Sequence, residues 1–144
     1  VLSAHRPGAR PMALDFRTIG LTALVETGGR VVVNPGTDAV LLPRPAVASL
    51  AQGDAWLPAW RDEDLRDLLL AESSAACPAI ADVAIVYAGD GLTRVLVSVD
   101  RARFAQGEGA SSMTAALSAA LNAVGANPRL IASADRVEIA PLLR

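Results

Sequence analysis

The stretch RVVVNPGTDAVLLPRPAVASLAQGDAWLPAW, residues 30–60, decides how the fold is read. Two aliphatic runs, residues 30–33 and 39–42, flank Asn34-Pro35-Gly36-Thr37. Proline presets φ near −65° and Gly36 supplies the positive φ of a type II turn. The pair therefore predicts an antiparallel hairpin with a loop of about four to six residues. Pro45 suits the first turn of a helix running to Gln52, and Gly53 stands where a terminating glycine belongs. The unit then runs into a connector stiffened by Pro58, which holds the chain's two tryptophans, Trp56 and Trp60.

Upstream, residues 1–4 read as the tail of a helix broken by His5, Pro7 and Gly8, so the start of this domain is expected to lie earlier. PMALDF, residues 11–16, is a strand candidate. Asp15 can cap a helix from Phe16 to about Glu26, closed by Gly28-Gly29. Downstream, Asp62 caps a helix whose Leu65, Leu68 and Leu69 share a stripe that fades through SSAACP. Residues 83–88 and 93–99 flank Gly89-Asp90-Gly91 and predict a second hairpin. GEGASSMTAALSAALNAVG predicts a glycine loop, a serine cap and an Ala/Leu helix stopping at Gly125, and residues 136–139 form a last strand. The order β-α-β-β-α, linker, α-β-β-α-β indicates an α+β fold with two small antiparallel or mixed sheets covered by helices. The expected domains are residues 1–57 and 58–144.

Composition narrows the chemistry. Of 144 residues, 52% are hydrophobic but only 3% aromatic, so the core must be built from Ala, Val and Leu. All 13 basic residues are arginine. Without lysine, a Walker-type phosphate loop, a Schiff-base lysine and a Ser-x-x-Lys nucleophile are all excluded. A formal net charge of −2 with no basic block argues against nucleic-acid binding. Cys77 is the single cysteine, so no intrachain disulfide forms and a reducing, cytoplasmic setting is expected. No run approaches the roughly 18 apolar residues of a membrane span, and VLSAHRPGAR lacks the apolar region of a signal peptide.

VVVNPGTDAVLLPRPAVASLAQGDAW, with its strand, N-P-x turn, second strand, Pro-started helix and QG-x-x-W ending, resembles the close of the N-terminal domain in the SseB-like (enhanced serine sensitivity) family of bacterial proteins. LSAHRPGARPMALDF resembles the segment before it, and residues from about 61 onward are more loosely similar to the family's C-terminal domain. The resemblance implies an N-terminal domain lacking at least one strand and helix at its front, and the hairpin edge left open there is expected to favour self-association. The family has no agreed activity, so the resemblance implies a fold and no catalytic residue.

Chemical candidates each meet a simpler explanation. Gly107, Gly109, Ser111 and Ser112 form a G-x-G-x-x-S pattern that could receive an anion at a helix start, but the third glycine and the following acidic residue are missing. Asp62, Glu63, Asp64 and Asp67 are accounted for by the positive end of a helix dipole. Cys77 has no lysine to activate it, and His5 is the only histidine, so neither a catalytic thiol nor a zinc site is expected. The expected protein is thus a non-enzymatic binding or regulatory protein without a cofactor, using Trp56 and Trp60 toward a protein partner or its own copy. The alternative is a small-ligand or anion sensor at the loop from Gly107 to Ser112. Of the two rings, Trp60 is expected to be buried, since it adjoins the Asp62 helix, and Trp56 exposed.

Overall fold

Asp15 sets the first helix. In extended conformation, its carboxylate accepts from the Thr18 N–H at 2.9 Å and the Thr18 hydroxyl at 2.8 Å, which starts α1 (Phe16–Glu26). The helix closes through Gly28 and Gly29, at φ +70° and +80°, with the Gly29 N–H donating to Ala23 O at 2.8 Å. Residues 8, 10–36, 38–106 and 110–144 are described by the structure, a computed structural model. The chain divides into two units, Val1–Trp56 and Leu57–Arg144.

In the first unit, β1 (Val31–Val33) pairs antiparallel with β2 (Val40–Leu42), Val32 opposite Leu41. Gly36 holds φ +93° in the connecting turn. Then comes α2 (Arg44–Gln52), with Pro45 in its first turn and left-handed Gly53 (φ +85°) donating to Ser49 O and Leu50 O. Helices α1 and α2 pack closely because Gly20 has no side chain; a Cβ there would stand 2.8 Å from the Ala51 Cβ. The strand expected within residues 11–16 is not formed. Pro11 lacks a donor, and Asp15 spends its side chain on the helix start.

The second unit begins with a 3-10 turn, Ala59–Arg61, followed by α3 (Glu63–Ala76), capped by Asp62 through the Leu65 N–H at 3.0 Å. Next come β3 (Ile80–Tyr87), β4 (Leu92–Val99), α4 (Arg101–Gln106), α5 (Ala110–Ala126), α6 (Pro128–Ser133) and β5 (Arg136–Leu143). The hairpin between β3 and β4 turns on Gly89, Asp90 and Gly91, all at positive φ. The sheet order is β3-β4-β5, with β3 antiparallel and β5 parallel to β4, so this sheet is mixed and the chain is α+β as expected. Valines 83, 95, 97 and 99 of the sheet meet Leu65, Leu69, Val124 and Leu130 of the helices in one core.

Three local readings are corrected here. Ser111 and Ser112 lie inside α5, which runs through Gly125 to Ala126. Two short helices join the expected set: α4, whose start Asp100 caps through the Ala102 and Arg103 N–H groups, and α6, capped by Asn127. Strand β5 continues well past residue 139. Its end shows why Pro141 is tolerated. The Arg144 N–H donates to Val99 O and Arg144 O accepts from the Arg101 N–H, both at 2.9 Å. Counting back in twos, Leu142, Ala140, Glu138 and Arg136 turn their backbone toward β4, and Pro141 turns its missing donor outward.

Candidate functional site

Trp60 sits in the 3-10 turn, and its placement is set by an ion-pair frame. Asp62, 8% exposed, receives Arg129 in a two-pronged contact, Nη2 to Oδ1 at 2.7 Å and Nε to Oδ2 at 3.1 Å. The same carboxylate caps α3, so one side chain joins the turn, α3 and α6. One helical turn on, Arg66 donates from Nε to Val83 O at 3.0 Å and from Nη2 to Asp82 at 2.9 Å. That contact fastens α3 to the outer edge of β3 and occupies a carbonyl of the edge strand.

Against this frame the rings of Trp60 and Tyr87 lie with centroids 4.7 Å apart and planes inclined at 38°, within the range of favourable aromatic pairs. Trp60 is half-buried and Tyr87 is 49% exposed. Beside them Ala59, Trp60, Arg61, Asp62, Glu63, Arg66 and Ile85 line a dimple of about 50 Å³. A pocket for a small molecule is usually several hundred Å³, about 300–1,000. The dimple therefore suits the tip of a side chain. Chemically, the surface offers two aromatic faces, an aliphatic floor at Ile85 and the exposed guanidinium of Arg61.

The other candidates are placed as follows. Trp56 falls in the first unit and is half-buried, so neither tryptophan shows the full burial or full exposure expected of it. Gly107, Gly109 and His5 lie outside the described residues, while Ser111 and Ser112 are exposed on α5. Asp62, Glu63 and Asp64 occupy the cap and first turn of α3, and Asp67 pairs with Arg66. Among the described residues, no group of three or more His, Cys, Asp or Glu is gathered as a metal ion would require. Cys77 is fully buried, its Sγ 3.8 Å from the Met113 Sδ. No described helix is long and apolar enough to cross a membrane.

Tyr87 is the member of the site that sequence reading missed. It sits at the end of a strand-like run, and only the packing of β3 against the 3-10 turn brings it to Trp60. Its place as the chain's sole tyrosine, just before Gly89-Asp90-Gly91, was the available signal. No family model, no curated protein and no solved structure matches the chain.

Proposed function

We propose that the chain is a non-enzymatic binding or regulatory protein acting through protein–protein contacts, with the Trp60–Tyr87 surface as its contact site. The observation that carries this reading is the half-open ring pair beside a dimple of side-chain size, held by elements that Arg66 and Arg129 tie down. Rigid aromatics lose little entropy on binding and contribute large area, which is why they dominate contact hot spots. The SseB-like resemblance of the residues from Val31 to Trp56, and a cytoplasmic setting suited to a free buried thiol, belong to the same proposal. In the anion-sensor alternative, Ser111 and Ser112 are exposed in the first turn of α5, and Gly107 and Gly109 lie outside the described residues.

The test is affinity capture with the full chain, followed by the same capture with Trp60→Ala and Tyr87→Ala. Ile131→Ala, which truncates an exposed side chain on α6, is the control. Loss of one defined partner in both aromatic variants, with circular dichroism unchanged and the control intact, is the expected result. Capture that survives both truncations removes the site.

A further inference from the structure

The sheet of the second unit has two unlike edges. Along β3 the Arg66 guanidinium occupies Val83 O, and the ladder slips between Ile80 and Asp82, so that edge is obstructed and irregular. Along β5 the register is regular, and residues 136–140 carry neither device. Val137 and Ile139 turn their N–H and C=O groups away from β4, and among the described residues no strand lies beyond them. On the face that bears the helices, Val137 stays 37% exposed.

We propose that this edge pairs with the same edge of a second copy of the chain, β5 antiparallel to β5, about a two-fold axis normal to the sheet and centred on Val137. That axis joins two three-stranded sheets into one of six strands and keeps both helix layers on the same side. Three centres are open to the strand, and its side chains choose among them. A centre on Ile139 sets Pro141, which has no donor, against Val137 of the copy. A centre on Glu138 sets that carboxylate against its own counterpart. A centre on Val137 avoids both. Val137 then exchanges two main-chain bonds with its counterpart, and Arg136 stands opposite Glu138 of the copy, twice over by symmetry.

The charges suit that register. Both bonds that Glu138 receives from Arg94, at 3.1 Å and 2.9 Å, end on Oε2. Its Oε1 accepts no bond from a described residue, and Arg136, exposed beside it, forms no ion pair with one. Residues that face each other without sharing a main-chain bond bring their side chains closest, which is the relation of Arg136 to Glu138 of the copy. A strand of one charge sign would answer only one of these two groups, whereas the copy answers both.

The seam is short, residues 135–139 of each copy. Main-chain bonds rather than area hold such a junction, and the dimer belongs with the weak, reversible ones. This inference does not rest on the Trp60–Tyr87 surface.

Sedimentation equilibrium of the full chain over about 0.01–1 mM tests it. A reversible monomer–dimer equilibrium is expected. Val137→Pro removes an outward N–H and leaves the ladder to β4 whole, so it should weaken the dimer about tenfold or more while circular dichroism is retained. Arg136→Glu and Glu138→Arg should each weaken it less, by opposing like charges across the seam. An equimolar mixture of those two variants should recover the dimer, since positions 136 and 138 then meet with opposite charge at both contacts. If Val137→Pro does not fold, the charge variants and their mixture carry the test. A chain that stays monomeric throughout the range overturns the proposal. So does a dimer that tolerates these variants, a mixture no better associated than its components, or a dimer that Val32→Arg in the first-unit hairpin dissociates in their place. Trp60→Ala should leave the dimer constant unchanged, so the contact site and the dimer fail separately.

Discussion

The two units use the same vocabulary of hairpin and capped helix, yet they differ in what they bury. Among the described residues of the first unit, the buried apolar side chains are Ala23, Pro43, Ala46, Val47 and Ala51. In the second, Leu65, Leu69 and Leu130 are fully buried together with Val83, Val95, Val97, Val99 and Val124. The first unit also turns apolar side chains outward, with Val25 at 86% and Met12 at 76% exposed. Its hairpin is apolar at every strand position, and Val32 and Val40 are each about half exposed. A two-stranded sheet is marginal on its own in water. Local signals can thus specify the same elements in both places, while large buried side chains stabilise only one of them strongly.

The largest expected effect breaks the stronger side of this contrast. Leu69→Ala opens a cavity in the second core and should cost about 2–5 kcal/mol by denaturant titration. Hydrogen exchange should then show the β4 amides losing protection that α1 and α2 never had. If α1 amides in the native chain are as protected as those of β4, the contrast is wrong.

Gly36→Val tests the weaker unit. At φ +93° a β-branched residue is strained, and the substitution should cost about 1–3 kcal/mol in the first unit alone. An unchanged melt of the hairpin signals would show that the turn relaxes freely.

Within the strong core, Thr93 is 1% exposed and, among the described residues, its Oγ1 has no hydrogen-bond partner. Thr93→Val exchanges that hydroxyl for a methyl of similar size and should stabilise by about 1 kcal/mol. A loss of stability in its place would mean that the hydroxyl is satisfied in solution.

The smallest effect is a pH dependence at Asp15. Hydrogen bonds from the Thr18 N–H and hydroxyl hold its carboxyl below the usual aspartate value of 3.8. The cap is therefore fully stabilising above that value and fades as pH falls through the lowered one. The Thr18 amide resonance should shift, and the first turn of α1 fray, only as the pH falls below the usual aspartate value. A Thr18 signal that stays constant through that fall would show that Asp15 does not hold the cap in solution.

Legibility followed the range of the interactions. Asp15 and Asp62 as caps, Gly36 and Gly53 as positive-φ positions and Gly89-Asp90-Gly91 as a turn were readable because each acts within about four residues. Misreadings also came from local rules set against one another. Asn127-Pro128 is a helix start with a capping side chain, yet it follows an Ala-rich helix that Gly125 was expected to end. The serines of α5 looked like caps but lie inside the helix.

By itself the sequence determined the class of the fold, most helix and turn positions, and the absence of lysine chemistry, since these depend on residue identity and near neighbours. Only the tertiary structure decided that β5 lies parallel beside β4, that Trp60 meets Tyr87, that Asp62 receives Arg129 from 67 residues away, and that one sheet face was left outside the core. The physical reason is separation along the chain. Pairings between distant segments are chosen by packing and by the closure of the whole unit, and no local propensity encodes them.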